Sequence, residues 1–474
     1  MRRLNCLLGW LLLSIVISPG FANSEKKIQL YLNTINQDPN ALYEFFKEMP
    51  KGGELHYHLS GGAYPESILD TAIHQPYCFN PQTWTANYQK DVCTGIASDD
   101  LIKTPDNYQS IIRAWSLKDF IPSSSESNAD HFFHVFEKEY AISQRNYPQL
   151  LVDILQRAAD QNEHYLEIML LPEIESWNKI FLPKLTSLSE LPGWYGNLLK
   201  NATFQQAVNE NIQQVAQIWT KTRALLACDQ KHPQPACRIT VRFQQYALRE
   251  QPLEKVFAQA LLGFLVTQKS PYVVGVNLVQ REDGVIALKD YRLHMGVFNF
   301  LSQKYPQVPI ALHAGELALA FVPPEALRFH IHSAIQEGHA RRIGHGVDIA
   351  YENNPEIIVK QMRIQGIPVE VNLTSNEKIL GVSGKNHPLN FYLAHQVPVV
   401  LSTDDEGILR TDLTAQYVEA VMHHHLSYTI IKTINRNALL FSFLPVKEKA
   451  HLLRRLEHDI TIFEKKWTSK TQVN

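Results

Sequence analysis

Short apolar segments alternate with longer amphipathic segments along most of this chain, and this alternation constrains the fold more than any other feature. Several of the apolar segments form nearly continuous apolar runs, which is typical of strands that are buried on both faces of a parallel sheet. We therefore predict a (β/α)8 TIM-type barrel, with a doubly wound parallel sheet as the alternative. The eight predicted strands are residues 53–59, 165–171, 239–246, 273–278, 309–313, 342–345, 368–373 and 397–402.

Two connections are too long for simple loops between a strand and the next helix. Residues 60–130 follow the first predicted strand, and residues 173–237 follow the second and include a helical stretch at 204–226. Connections of this length in compact domains usually have a function or form a small subdomain. Since residues 60–130 would lie over the C-terminal face of the barrel, we expect a lid or a dimer contact there. Residues 23–474 are thus expected to form one barrel with two insertions.

The first 22 residues have the features of a secretory signal peptide. Arg2 and Arg3 precede an apolar run at 7–17, and small residues follow before a cleavage point after Ala22. The apolar run is too short to cross a bilayer, which requires roughly 20 residues. We therefore predict a cleaved, periplasmic or secreted protein, with a retained anchor or a buried first helix as the alternative.

Composition and charge narrow the range of partners. The 474 residues are 45% hydrophobic and 19% charged, which is typical of a globular protein and excludes a disordered or collagen-like chain. Lys and Arg number 45 against 47 Asp and Glu. This near balance gives no reason to expect nucleic acid or an anionic membrane as a partner. No segment after the N-terminal run is apolar enough to cross a membrane, so we expect no membrane span in the mature chain.

Four cysteines follow the predicted cleavage site, and an even number in an exported chain favours disulfides. Four cysteines allow three connectivities. Pairing of neighbours, Cys78 with Cys93 and Cys228 with Cys237, would close two loops that otherwise look irregular. Neither pair has the close spacing that is typical of zinc-binding cysteines.

Residues that can bind a metal stand where the predicted strands end. His56 and His58 alternate at the end of the first strand, so both imidazoles face one side of it. His313 ends the fifth strand and Asp404 follows the eighth. Three imidazoles and a carboxylate suit Zn²⁺ in an open catalytic site, where a bound water has a pKa of ~7. We predict one zinc ion per subunit, held by these four residues.

Three more residues at the strand ends have predicted roles. Glu316 lies three residues beyond His313, near the metal but separate from it, and is the expected general acid. His345, at the end of the sixth strand, is expected to orient the attacking hydroxide. Asp405 cannot point the same way as Asp404 on a strand end, so we expect it to accept a hydrogen bond from the substrate.

Together these motifs resemble the adenosine deaminase family. The match extends from Met49 to about Asp412, and the motifs occur in the family's order. The signal peptide and the cysteine-bearing insertion after strand 1 are similar to the secreted adenosine deaminase-related growth factors. The motifs are Met49-Pro50-Lys51, His56-x-His58, His313-Ala314-Gly315-Glu316, Gly344-His345-Gly346, Asn372-Leu373-Thr374-Ser375-Asn376, Asn386-His387-Pro388 and Thr403-Asp404-Asp405.

The resemblance implies zinc-dependent hydrolysis of adenosine or deoxyadenosine to inosine or deoxyinosine and ammonia. It implies that Glu316 protonates purine N1, that His345 steers hydroxide to C6 and that Asp405 hydrogen-bonds N7. His58 is placed among the substrate contacts as well as among the metal ligands.

Two positions differ from the family pattern, and both concern the substrate rather than the metal. Ser60 stands where the family usually has an aspartate that helps to hold the ribose. Gln280 stands near the glycine that offers its backbone N–H to purine N3. The predicted substrate contacts are therefore Asp405, His58, Ser60 and Gln280.

Two other functions remain as alternatives. The first is a deaminase of another aminopurine, a modified nucleoside or a nucleotide, although a nucleotide would need a cationic phosphate site and no Arg or Lys cluster follows a strand. The second is a secreted signalling or binding protein on a deaminase scaffold. The growth-factor branch dimerises through an N-terminal region, for which only residues 23–48 remain here, enough for one helix or two short ones. A homodimer is a further expectation.

Overall fold

A computed structural model describes residues 19–89, 92–101 and 103–470 of the chain. The predicted signal peptide lies outside these residues except for 19–22, which fall in the first helix, and so its cleavage stays a prediction. The strands in the described residues are β1 (Glu54–His58), β2 (Tyr77–Phe79), β3 (Ala86–Tyr88), β4 (Ile96–Ala97), β5 (Tyr165–Met169), β6 (Thr240–Leu248), β7 (Val273–Val279), β8 (Ala311–Ala314), β9 (Arg342–His345), β10 (Val369–Val371) and β11 (Val399–Leu401).

Eight of these strands form a closed parallel barrel. They make two four-stranded sheets, in the orders β1-β5-β6-β7 and β11-β10-β9-β8. Parallel bridges join the sheets at both seams, between Tyr57 and Asp404 and between Val276 and Ile310. His58 N–H donates to the Asp404 carbonyl at 3.0 Å across the first seam. The barrel is therefore confirmed over the doubly wound sheet, which would leave two unpaired edges, and each barrel strand overlaps a predicted one.

Helices cover the outside of the barrel. Those in the described residues are α1 (Pro19–Ile35), α2 (Pro39–Glu48), α3 (Leu59–Gly62), α4 (Pro65–Ala72), α5 (Ser98–Leu101), α6 (Pro105–Ala114), α7 (Asn128–Asp160), α8 (Leu191–Lys200), α9 (Ala202–Leu225), α10 (Leu253–Lys269), α11 (Val285–Lys304), α12 (His330–Gln336), α13 (Pro355–Gln365), α14 (Leu373–Leu380), α15 (Leu389–Ala394), α16 (Glu406–Leu409), α17 (Leu413–Met422), α18 (Tyr428–Leu440) and α19 (Val446–Lys470). Among these described helices, none is both long enough and apolar enough to cross a membrane.

The long helix α7 is the one that bears most on the site. It begins at Ser127, whose side chain accepts from the Asp130 N–H while the Asp130 carboxylate accepts from the Ser127 N–H. Pro148 lies inside it and removes a helical hydrogen bond, and Asn146 just before it has non-helical angles. The helix is kinked there, and its first half lies along the mouth of the barrel.

The two predicted insertions contain regular structure. Residues 60–130 include the antiparallel sheet β3-β2-β4, and residues 173–237 include α8 and α9. The predicted helical stretch 204–226 is confirmed by α9. Disulfides join Cys78 to Cys93 and Cys228 to Cys237, so the nearest-neighbour pairing is the one observed.

Residues 23–48 contain most of α1 and all of α2, in agreement with the two helices that the segment has room for. Phe45 of α2 packs against Trp467 and Phe463 of α19, with ring centroids 4.9 and 5.1 Å apart. Aromatic contacts with α19 thus hold the N-terminal helices α1 and α2 to the rest of the protein. The predicted homodimer stays a prediction.

Candidate active site

Three imidazoles and one carboxylate converge at the C-terminal end of the barrel. His58 Nε2 lies 3.2 Å from His313 Nε2 and 3.4 Å from Asp404 Oδ1. His56 Nε2 lies 3.3 Å from the same carboxylate oxygen. The four predicted ligands come from β1, β8 and the residues after β11. Barrel closure, which puts β1 beside β11, brings them together.

Residues behind the cluster orient these side chains. His56 Nδ1 lies 2.8 Å from Glu370 Oε2, and His313 Nδ1 lies 3.0 Å from Asn277 Oδ1. Contacts of this kind turn the other ring nitrogen toward a shared centre, as they do at metal sites. Sequence reasoning missed both Glu370 and Asn277. Their signal was a polar residue inside an apolar strand, since Glu370 stands between Val369 and Val371.

The cluster fits a divalent metal ion. His56 Nε2 is buried and has no hydrogen-bond partner among the described residues, which is unfavourable unless something else binds it. Nitrogen and carboxylate oxygen donors in this number suit Zn²⁺. His345 Nε2 lies close to the same centre, within the group formed by His56, His313 and Asp404. Geometry alone therefore does not separate His345 from the predicted ligand His58.

The ionisation states of three of these four residues also suit metal binding, whereas at His56 burial lowers the pKa but Asp404 and Glu370 raise it to about 9. Burial lowers the pKa of His58 to about 4 and that of His313 well below its ordinary value. Burial opposes the charge of Asp404 as well, but the polar contact with His56 and the other nearby imidazoles hold its pKa below the ordinary range. The carboxylate is thus charged and these two imidazoles are neutral, which are the forms that bind a metal.

Glu316 and Asp405 are buried carboxyl groups beside this centre. Burial, with Asp404 nearby, raises the pKa of each well above its ordinary value. The shift favours the protonated form of each. A carboxyl group in that form can donate a hydrogen bond, so a donor role for Asp405 stands beside the acceptor role that we expected, which stays a prediction. The physical reason is its burial next to an ionised neighbour, which disfavours a second negative charge.

The buried carboxylate of Glu282 fixes the position of Glu316. The backbone N–H groups of Gly315 and Glu316 donate to Glu282 at 3.1 and 2.8 Å. Glu282 also lies 2.6 Å from His330 Nδ1, and these contacts hold its pKa below the ordinary value despite burial. This arrangement fixes the backbone that carries the predicted general acid. No strand-end pattern in the sequence identified Glu282.

Three residues at the site have left-handed backbone angles. The φ angles are +79° at Gln280, +67° at His345 and +69° at Asp404, after or at the ends of β7, β9 and β11. Such angles are disfavoured for residues with a side chain and tend to occur at functional sites. Gln280 keeps the conformation that a glycine would favour, while its Oε1 accepts from the Glu250 N–H at 2.9 Å.

Ser60 belongs to the short helix α3, which packs against Asp405. A Cβ atom built on Gly61 would lie 1.7 Å from Asp405 Oδ1, so only glycine leaves room for that carboxyl. The segment Ser60-Gly61-Gly62 is therefore compatible with the predicted role of Asp405.

A cavity of about 830 Å³ opens onto this cluster. His58, Ser60, Gln280, Glu316 and Asp405 all line it, together with His313, His345 and Asp404. Its outer wall consists largely of aromatic side chains, which are Phe132, Phe133, Phe136, Tyr140, Trp177 and Tyr246. Most of that wall belongs to α7 and follows the predicted insertion 60–130. Of that insertion, the described residues contribute only Ser60 to the lining.

The rim of the cavity is acidic. Glu137, Glu139, Glu173 and Glu250 line it, and Glu139 is 2% exposed with Oε2 lacking a hydrogen-bond partner among the described residues. Burial raises the pKa of Glu139 to about 8. Arg281 is the one Arg or Lys among the described lining residues, and it is paired with Asp130 and Asp283 at 2.9 and 2.8 Å. Sequence reasoning missed Glu139, since it lies in an amphipathic helix without a motif.

Comparisons with known proteins identify the family of this chain and agree with its fold. A sequence model of the adenosine deaminase family matches residues 96–459. An adenosine deaminase of Clostridium kluyveri is 24% identical over 428 residues, which are 89% of this chain and 98% of the relative. Among solved structures, Arabidopsis ADAL complexed with IMP has a TM-score of 0.59 at 18% identity, over 89% of this chain and 99% of that one. A Burkholderia ambifaria amidohydrolase with bound zinc has a TM-score of 0.56 at 16% identity, over 90% and 94%.

Proposed function

Because the chain belongs to the adenosine deaminase family, a family of metal-dependent hydrolytic deaminases, we propose that it converts adenosine or 2′-deoxyadenosine to inosine or 2′-deoxyinosine and ammonia. One observation carries the proposal. Two buried carboxyl groups, Glu316 and Asp405, whose pKa values burial raises, face a cavity beside a donor set that fits zinc. Each can donate a hydrogen bond to a ring nitrogen of an aminopurine, which such a ring accepts.

His56, His58, His313 and Asp404 would hold the metal, and we propose zinc. When bound, zinc lowers the pKa of a coordinated water toward ~7 and so supplies hydroxide at neutral pH. Glu316 donates its proton to purine N1 as C6 is attacked, because its raised pKa keeps it protonated until then. Asp405 donates to N7 and holds the ring in register. The Nε2 atom of His345 faces the attacking oxygen.

The charge of the cavity supports a nucleoside over a nucleotide. Besides Glu316, four glutamates line it, and its described cation, Arg281, is already paired with two aspartates. A phosphate there would meet negative charge without a free cation to offset it. Glu139 offers a buried carboxyl with a free oxygen, which suits a ribose hydroxyl. Glu139 would thus help to hold the ribose. The family's aspartate has this role, and Ser60, which replaces that aspartate, cannot fill it.

We also propose that the protein works outside the cytoplasm. The N-terminal sequence has the features of a signal peptide. The two disulfides are independent support, because such bonds persist in oxidising compartments and are rare in the cytosol.

The test is an assay of residues 23–474 for ammonia release from adenosine, deoxyadenosine, adenine and AMP, with and without a chelator. We expect chelator-sensitive turnover of the two nucleosides and at least ~10-fold lower kcat/KM for AMP. Glu139→Gln, which keeps the size but removes the acid, should raise KM for adenosine more than KM for adenine. Faster turnover of AMP or adenine than of adenosine would contradict the substrate that we propose.

A further inference from the structure

A buried chain of hydrogen bonds lies behind His345, on the side away from the cavity. Nδ1 of His345 lies 3.0 Å from Nδ2 of Asn376, and Oδ1 of Asn376 lies 3.0 Å from Nε2 of His387. The chain ends where the backbone N–H of Leu389 donates to Nδ1 of His387 at 3.1 Å. His345, Asn376 and His387 are at most 3% exposed. Asn376 and His387 belong to motifs to which the proposed reaction gives no role.

The Leu389 N–H sets the direction of every bond in the chain. A backbone N–H can only donate, so His387 Nδ1 accepts and its proton is on Nε2. His387 Nε2–H therefore donates to Asn376, which must turn its carbonyl oxygen toward His387 and its NH₂ group toward His345. Nδ1 of His345 is then an acceptor. The amide of Asn372, 3.4 Å from the same nitrogen, is a second donor to it.

A neutral imidazole that accepts at Nδ1 carries its proton on Nε2. We propose that Asn376 and His387 are positioning residues that hold His345 as the Nε2–H tautomer and so make it a hydrogen-bond donor at the reaction centre. This inference deepens the proposed function and rests on it for the identity of the reaction. It also distinguishes the two candidates for the fourth metal ligand. A protonated Nε2 has no lone pair for a metal, so His345 is excluded and His58 is the ligand.

The Nε2 side of the His345 ring is arranged for such a donor. Its Nε2 is buried without a hydrogen-bond partner among the described residues, 3.7 Å from Glu316 Oε2 and 3.9 Å from Asp404 Oδ2. An N–H at this point faces the space between the general acid and the metal ligands, where the attacking oxygen must lie. His345 thus holds that oxygen by donation and does not take its proton.

The direct test is the ¹⁵N NMR spectrum of the zinc-loaded protein labelled at histidine, since the protonated and unprotonated nitrogens of a neutral ring have well-separated shifts. His345 is assigned by the signals that are lost in His345→Gln. We expect a protonated Nε2 and an unprotonated Nδ1, and a zinc content in His345→Gln equal to that of the wild type. A proton on Nδ1, or loss of zinc from His345→Gln, would overturn the proposal.

Variants of the chain provide the second test. Asn376→Asp places an acceptor against His345 Nδ1, which should move the proton there and lower kcat about 100- to 1,000-fold with little change in KM. His387→Gln keeps a donor for Asn376 and should retain most of the activity, whereas His387→Phe should not. His424→Phe is the matched control, because His424 is buried beside His387, with ring centroids 5.6 Å apart, but is outside the chain.

The two proposals fail in different ways. A wild-type protein without adenosine turnover but with the expected tautomer and zinc content would contradict the proposed substrate alone. Equal kcat values for His387→Phe, His387→Gln and the wild type would overturn the positioning role of His387, whatever the substrate. Since the tautomer is measured on the wild type and only His345→Gln is needed to assign its signals, the spectrum can still contradict the tautomer if Asn376→Asp or His387→Phe fails to fold.

Discussion

Three neighbouring carboxyl groups at the site differ in charge because their surroundings differ. Asp404 stays ionised, because imidazoles surround it and Ser375 Oγ donates to it at 2.8 Å. Glu316 and Asp405 are equally buried, but their strongest electrostatic neighbour is Asp404, which disfavours a second negative charge. Neighbouring titratable groups whose pKa values are shifted in opposite directions in this way commonly act as the acid and the base of an enzyme.

Replacement of the general acid should separate catalysis from metal binding. Glu316→Gln has no proton to give to purine N1, so we expect kcat to fall at least ~100-fold. The zinc content should not change, since Glu316 is not among the four proposed ligands. Steady-state kinetics and metal analysis of the same sample check both points. A rate close to that of the wild type would remove Glu316 from this role.

Glu139 should make stability depend on pH. Its carboxyl has a pKa of about 8 in the folded protein and about 4.5 in the unfolded chain, because burial disfavours the charge. Its stabilising contribution is therefore complete below pH 4.5 and is lost as the pH rises through 8. The free energy of unfolding of the wild type, relative to Glu139→Gln, should fall by on the order of 5 kcal/mol from pH 4.5 to 9. Denaturant unfolding at a series of pH values measures this difference, and a constant difference would contradict the raised pKa.

Among the secondary-structure elements, the barrel strands and the turns directly after them determine the geometry of the site. β1 passes directly into the short helix α3, and after β9 a 3-10 helix at Val347–Tyr351 begins one residue beyond the strand. The turns are tight, and this explains the left-handed angles at His345 and Asp404. The turn after β1 is the helix α3, which must pass directly beside Asp405.

A methyl group on α3 should therefore disturb the site. Gly61→Ala puts a carbon 1.7 Å from the present position of Asp405 Oδ1, and so the carboxyl must move. We expect kcat/KM to fall at least ~10-fold, because displacements of this size misalign the substrate. Gly196→Ala is the matched control, since nothing lies within 4 Å of its added carbon and α8 lies away from the site. Equal effects of the two variants would contradict the close approach that we describe.

For the whole molecule, barrel closure is what assembles the metal donors. β1 carries two of them and the residues after β11 carry another, and the seam between these strands is a single bridge with two backbone hydrogen bonds, at 3.0 and 3.3 Å. A metal bound to His56, His58 and Asp404 links the two sides of this seam. Metal binding and folding stability should therefore be coupled.

Removal of the metal should lower the melting temperature. A ligand that binds only the folded state at 1,000 times its Kd contributes about 4 kcal/mol, and its loss from a domain of this size corresponds to several degrees. Calorimetry with and without a chelator measures the shift. His58→Ala should remove most of the shift, since it removes one donor. An unchanged melting temperature of the wild type after complete loss of zinc would contradict the coupling.

The residues of the chain were sufficient to predict the barrel, its eight strands and the group of His56, His58, His313, Glu316, His345, Asp404 and Asp405. Each of these depends on local pattern, since an apolar strand and the polar residue at its end are adjacent in sequence. The cysteine positions favoured the pairing of neighbours but left three connectivities open, and the structure decides between them.

Other properties depend on contacts between residues far apart in sequence, and only the tertiary structure decides them. Glu370, Asn277, Glu282 and Glu139 act at the site through such contacts. The raised pKa of Asp405 depends on its burial beside Asp404, and the proposed tautomer of His345 depends on a hydrogen-bond chain that ends at the Leu389 backbone N–H. Burial and hydrogen-bond direction are properties of the packed molecule, because each depends on which groups surround an atom after the chain has folded.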